Sequence, residues 1–388
     1  MPGAGNGDRG ESKAPGPSRG RQRWLAALVA ALTLLTLGAL LTAYYASVAR
    51  RFLGMDLELS GDPLMRGDPE LGFAAAPHAA SVRSHPRAGQ AYTVFTDSRG
   101  ARVSRPGATT AAPVDVLALG CSYTWGHGVE MEQTYAERLG RRLGVTTANL
   151  AFAAYGTTQA LLLLRRHADL RPRVVIYGLL LDQLRRNVMP CAPAYGPACL
   201  PAPYVDFDPG GRPFRHPPRS ELHPFYERFA VSFVGADRLR PRHVLLAAQA
   251  DLQRLRYGRR LSPERGPDER RAALVLLLRE LRDTADALGA PLLVVHLPRL
   301  EPGTTPFPSP ALQEALRLVE GPGLHFLDLA PVVAAHYAEP DAPLLRFELD
   351  GHPNPRAHQL FADAIEPVLA RLLDAWPRRA PREDRPRP

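Results

Sequence analysis

Residues Val114–Gly126 read VDVLALGCSYTWG, an apolar run that stops at Gly120 and presents Ser122 just beyond it. A short apolar run bounded by glycine predicts a buried strand, Val114–Leu119. Ligands of open α/β sheets sit at the carboxyl ends of the strands, so a serine here stands where such a sheet places a nucleophile. Gly120 and Gly126 permit the tight backbone that strand exit and close ligand approach require. The same residues also suit a plain turn with Ser122 as its cap. A segment far downstream bears on the choice: Asp350-Gly351-His352-Pro353-Asn354.

A serine hydroxyl is a weak nucleophile at neutral pH and needs a base within hydrogen-bond reach. Among twelve histidines, His352 stands immediately before a helix start marked by Asn354-Pro355. Asp350, two residues earlier, is placed to hold the other imidazole nitrogen, the orienting role of the acid in a Ser-His-Asp arrangement. Read alone, the segment is equally a helix-capping turn. Three other histidines are weaker candidates. His127 follows the serine loop and either lines a cleft or lies on a surface loop; His358 falls on the last helix; His296 ends a strand.

Outward from Ser122 the pattern alternates. A helix carrying Tyr135, Leu139 and Leu143 is followed by a short strand near Thr147–Ala151 and a helix opening at Thr157 or Thr158. Val174–Tyr177 reads as a buried strand. A helix over 268–288 precedes the strand Leu292–His296; Ser309-Pro310 open another helix, followed by the strand Leu324–Leu327. Asn354-Pro355 start a last helix with Leu360, Phe361, Ile365, Val368, Leu369 and Leu372 as its apolar stripe. Strands alternating with helices imply a parallel sheet covered on both faces. Residues 113–376 form this domain, interrupted by an irregular, proline-rich insertion at about 190–265. A loop-rich arm over 52–112 precedes it and holds a hairpin signature, Tyr92–Thr96 followed by Asp97-Ser98-Arg99-Gly100. Residues 1–23 and 377–388, rich in proline, arginine and small residues, are expected to be disordered.

Forty prolines are about twice the usual share for a chain of 388 residues. Lys13 is the only lysine, so the net charge of +9 is carried by arginine. Those arginines are scattered or paired with acids, without the aromatic-interleaved basic face of a nucleic-acid module. Phosphate-cradling glycine loops and metal-ligand clusters are absent from the sequence, so no cofactor or metal is implied. The uncharged run over 25–45 is long enough to span a bilayer, and 24–48 reads as a transmembrane helix with Trp24, Tyr44 and Tyr45 at its ends. Arg9, Lys13, Arg19, Arg21 and Arg23 before it, against Arg50, Arg51 and Arg66 after it, favour a single-pass anchor with the body on the extracytoplasmic side. A cleaved signal peptide, cut near Ser47-Val48-Ala49, is the rival. In an exported domain, Cys191 and Cys199 read as a local disulfide, while Cys121 reads as a small buried hydrophobe.

Three segments together resemble the SGNH/GDSL hydrolases. Gly120–Gly126 (GCSYTWG) is similar to the first block of that family, with Cys121 where aspartate is usual. Asn149–Gly156 (NLAFAAYG) is similar to the second, and Asp350–Asn354 (DGHPN) to the last, in a shorter variant. The resemblance spans roughly 112–373. It implies a flavodoxin-like three-layer α/β/α sandwich with a central parallel sheet, in addition to the N-terminal transmembrane helix. It also implies Ser122 as nucleophile, His352 as general base and acid, and Asp350 as its orienter, with the Ser122 and Gly156 amides donating to the oxyanion. In the third block, Gly178–Asn187 (GLLLDQLRRN), Asp182 stands where the family has an asparagine donor. Either Asp182 is protonated, or Gln183 supplies the donor, or the hole has two donors. The activity implied is a serine esterase or deacetylase acting outside the cytoplasm on an acylated glycan or lipid ester. An O-acyltransferase using the same triad on a polysaccharide, and an inactive anchored glycan-binding or scaffold protein, are the alternatives.

Overall fold

The computed structural model describes residues 19–53, 57–84, 91–193, 199–222, 241–261, 264–301, 310–348 and 350–376. Residues 1–18 and 377–388, expected to be disordered, lie outside that set; 19–23 do not, and are already helical. The chain divides into two compact units, Met1–Arg50 and Arg51–Pro388.

The described residues of the first unit form one helix. From Arg19 to Arg50 it is long and apolar enough to cross a membrane, a test that a signal sequence also passes. The hydroxyls of Thr33, Thr36 and Thr42 each donate to the carbonyl four residues earlier at 2.8 Å. No side-chain hydroxyl of these three needs water, which suits an apolar surround.

The second unit is built on a nine-stranded sheet. Five of its strands are parallel, in the order Thr147–Asn149, Val116–Gly120, Val174–Leu179, Leu292–His296, Leu324–Asp328. Side chains alternate across a strand, so each central strand feeds two cores. Val116 and Ala118 pack with Val174, Ile176, Leu293 and Val295 beneath the helices Tyr135–Leu143 and Pro355–Ala375. Leu117 and Leu119 face the other way, with Val175, Tyr177, Leu292 and Val294, against the helices Thr157–Arg166, Pro267–Ala287 and Pro310–Val319. The result is the three-layer α/β/α arrangement expected from the alternation.

Two expectations need correction. The arm is not loop-rich: Leu57–Gly61, Ala80–Ser84, Ala91–Thr96 and Arg102–Val103 pair antiparallel with one another and join the sheet beside Thr147–Asn149. Without the arm, that three-residue strand would be an open edge. The insertion is less irregular than its prolines suggest. It holds the strand pairs Cys191–Pro193 with Cys199–Pro201 and Tyr204–Phe207 with Pro213–His216, and a helix, Pro241–Leu261. A further helix, Ala330–Ala338, was not anticipated.

Candidate active site

The strand Val116–Gly120 ends at a glycine with φ of +148°, and the helix Ser122–Trp125 begins two residues later. A methyl group on Gly120 would stand 2.6 Å from Thr124 Oγ1 and 2.9 Å from the Gly178 carbonyl; one on Gly178, on the adjacent strand, would stand 2.1 Å from Thr124 Oγ1. Two bare glycines therefore make the space that lets the turn pass close to its neighbour. Thr124 fills that space, accepting from Tyr135 Oη at 2.9 Å, while its carbonyl accepts from Asn149 Nδ2 at 2.9 Å. Ser122 is left at the carboxyl edge of the sheet as the first helical residue, where its amide has no intrahelical acceptor.

The loop after the serine is held from below. The Arg102 guanidinium, 1% exposed, donates to the carbonyls of Trp125 at 2.7 Å, Gly126 at 2.5 Å and Thr93 at 3.2 Å, and to that of Val129. Burial lowers its pKa to about 10, which leaves it cationic near neutrality.

His352 arrives from the far end of the chain. Asp350–Pro353 is a short strand paired with Arg346–Phe347. Asn354 then caps the last helix: its Oδ1 accepts from the Arg356 and Ala357 amides, both at 3.1 Å, and its Nδ2 donates to the Leu344 and Arg346 carbonyls at 2.6 and 3.2 Å. The anticipated capping role is therefore filled by Asn354. His352 Nε2 lies 2.9 Å from Ser122 Oγ, across 230 positions of sequence. The ring is flanked by His127, with centroids 4.1 Å apart and planes tilted 32°, and by Tyr123 at 5.6 Å. His127 is buried, not a surface-loop residue. Tyr123 Oη donates to the Gly351 carbonyl at 2.6 Å, tying the serine helix to the histidine segment. The backbone of Asp350 is in place two residues before His352; its side chain lies outside the described residues.

Ser122 and His352 open onto a cleft of about 270 Å³, whose lining includes Tyr123, Asp182, Arg186, His296 and Arg299. The expected oxyanion donors fall out differently. The Gly156 amide, which caps the helix Thr157–Arg166, donates to Gln159 Oε1 at 2.8 Å and so is already used. Gln183 turns into the protein: it is fully buried, its Oε1 accepts from the Leu180 amide at 2.7 Å, and it is not part of the cleft lining. Asp182 does face the cleft, but as an acid between two cations, 3.8 Å from Arg186 and 3.9 Å from Arg299. A carboxylate so paired is an acceptor and stabilises no oxyanion.

Arg186, besides pairing with Asp182, lines the cleft beside Ser122. Its guanidinium donates to the Tyr155 carbonyl at 3.4 Å and reaches the Cys121 sulfur, next to Ser122. Burial raises the Cys121 thiol pKa, against the pull of Arg186, the Tyr123 amide and the Ser122 side chain. His296 and Asp328 were missed as a pair. Both end neighbouring parallel strands, in register, with Nδ1 and Oδ1 2.7 Å apart. Their shared position at the carboxyl ends of strands is the one sequence signal that points to them.

No family model and no curated protein sequence matches the chain. Among solved structures it is similar to a psychrotrophic esterase from Pseudoalteromonas sp., with 13% identity over 67% of this chain and 98% of that one and a TM-score of 0.36. It is also similar to a lipolytic protein of the G-D-S-L family from Desulfitobacterium hafniense (12% identity, 66% and 99% covered, TM-score 0.31). A third is an acetyl xylan esterase from the rumen bacterium Butyrivibrio proteoclasticus (11%, 78% and 72%, TM-score 0.35). Ser122 and His352, not these likenesses, carry the functional conclusion.

Proposed function

We propose that the protein is a serine-dependent acyl-ester hydrolase. The observation that carries this reading is the 2.9 Å approach of His352 Nε2 to Ser122 Oγ at the carboxyl edge of the parallel sheet. In the first step Ser122 Oγ attacks the ester carbonyl and passes its proton to His352. Collapse of the tetrahedral intermediate expels the alcohol, which takes that proton, and leaves the acyl group on Ser122. Water, deprotonated by His352, then releases the acid and restores the serine. Asp350 is assigned to hold the imidazolium, from its place two residues before His352.

The oxyanion is assigned to the Ser122 amide and the Arg186 guanidinium, in place of Gly156 and Gln183. Support comes from Arg186 lining the cleft beside Ser122. Each such donor is worth roughly 3–4 kcal/mol of barrier where it has been measured. The compartment is assigned as extracytoplasmic, with the Arg19–Arg50 helix as anchor and an acylated glycan or lipid as substrate. Basic residues concentrated before the apolar run support that orientation. A Cys191–Cys199 disulfide is assigned to the same compartment; the support is that their two strands pair side by side.

The test is turnover of p-nitrophenyl acetate by the detergent-solubilised full chain. Ser122→Ala is expected to lower kcat by about a thousandfold or more. Equal rates for parent and variant would sink the hydrolase reading.

A further inference from the structure

His296, on the cleft wall, is paired with Asp328, and the chemistry at Ser122 does not use that pair. His296 is 2% exposed and lines the same cleft as Ser122 and His352. Its Nδ1 lies 2.7 Å from Asp328 Oδ1, which also accepts from the Ala330 amide at 2.9 Å. Burial pulls the Asp328 pKa up, but the hydrogen bonds from His296 and the Ala330 amide outweigh it, and the net shift is downward. Asp328 is therefore an acceptor, and the imidazole proton belongs on Nδ1. In the neutral imidazole Nε2 is then a bare acceptor, and it has no hydrogen-bond partner among the described residues.

A buried imidazole nitrogen without a partner is destabilising unless something fills the role. The missing partner must donate. Main-chain amides near it are taken: the Leu297 amide donates to the Leu179 carbonyl at 2.9 Å, and that of Leu329 to the His296 carbonyl at 3.2 Å. The other charged groups on the cleft wall are Asp182, Arg186, Arg299 and Glu301, with Asp182 already shared between the two arginines.

Position says which part of a substrate meets it. The strand ending at His296 is two removed from the strand that delivers Ser122. At about 4.8 Å per strand, the two lie roughly 10 Å apart along the sheet edge. That is too far for His296 to take the nucleophile's proton, and about right for contact with the alcohol portion of an ester whose carbonyl sits on Ser122.

We infer that His296, oriented by Asp328, forms a subsite that accepts a hydrogen bond from a hydroxyl of the alcohol portion, and so selects esters of polyhydroxylated alcohols. The assignment rests on the hydrolase reading for where the ester carbonyl lies. It adds a specificity-determining residue and narrows the proposed substrate to an acylated polyol or sugar.

Two measurements test it, with a monoacetylated hexose and p-nitrophenyl acetate, which lacks a free hydroxyl. First, kcat/KM for the two esters is compared in parent, His296→Leu and His296→Gln. One lost hydrogen bond is worth about tenfold. The ratio of hexose ester to aryl ester is expected to fall about tenfold in His296→Leu, with partial recovery in His296→Gln, whose amide oxygen can still accept. An unchanged ratio, whether both rates fall together or neither does, would overturn the subsite. Second, calorimetric titration of the hexose ester into Ser122→Ala and Ser122→Ala/His296→Leu reads the subsite without turnover; about tenfold weaker binding in the double variant is expected, and equal binding overturns it. Parent enzyme inert on both esters, with the binding difference intact, would instead remove the hydrolase reading and leave the subsite standing.

Discussion

Arg102 shows how much of a site depends on a residue that never touches substrate. Its buried guanidinium holds the carbonyls of Trp125, Gly126 and Val129, the loop that follows the nucleophile. Arg102→Met keeps the volume but removes the donor from those carbonyls, of which Gly126 retains the Val129 amide; each carbonyl left buried and unpaired costs about 1–3 kcal/mol. The variant is expected to lose about 3 kcal/mol or more in urea unfolding, with kcat falling alongside. At this scale the sequence was legible where a residue carries its own local marker. Ser122 follows a strand-ending glycine, and His352 precedes a proline-marked helix start. Gly156 was misread because its amide is spent on Gln159 Oε1, and Gln183 because the Leu180 amide holds its Oε1 and turns the side chain into the protein, away from the cleft lining. Arg102 has no marker at all: its role exists only once Thr93, Trp125 and Val129 have come together.

The last helix sets the position of the base. Asn354 does two jobs there, capping Pro355–Ala375 with its carbonyl and holding the Leu344 and Arg346 carbonyls with its amide. Asn354→Ala removes a cap worth about 0.5–2 kcal/mol. It also frees the segment that carries His352, so kcat is expected to fall further than stability alone requires; Asn354→Asp keeps the acceptor, loses the donor, and should fall between. Thermal melts beside steady-state kinetics separate the two effects. Among elements, the central strands and the helices bearing apolar stripes were legible because burial writes a period into the sequence. The arm was not, since an antiparallel strand that only closes an edge needs no run of apolar residues. Ala91–Thr96 alternates exposed and buried positions and is the arm strand that shows its pattern.

For the molecule as a whole, His358 makes an acid limit. It is fully buried between the helices Tyr135–Leu143 and Pro355–Ala375, accepting from the Tyr135 amide at 3.3 Å. Burial first, then the nearby Arg102, Arg138 and His352, lowers its pKa to about 3, from 6.5. The folded value is depressed, so its share of stability is complete above about pH 6.5. It is lost progressively as pH falls toward 3, since the unfolded chain takes up a proton that the folded chain refuses. One such proton gives a slope of about 1.4 kcal/mol per pH unit. Urea titrations at pH 4, 5, 6 and 7 should show this slope, and His358→Gln should flatten it by one proton. An unchanged slope would mean that other groups set the acid limit.

The arm's place in the sheet also bears on how the chain is made. Synthesis runs from the N-terminus, so the strands Leu57–Gly61 to Arg102–Val103 emerge before Thr147–Asn149, the strand they extend. Until that strand follows, the arm's last strand has its hydrogen-bonding edge open to any other chain. Pairing across such a separation is slow compared with local contacts. A nascent chain of this protein thus passes through an interval in which its earliest strands have no template, and whatever shields them then governs yield.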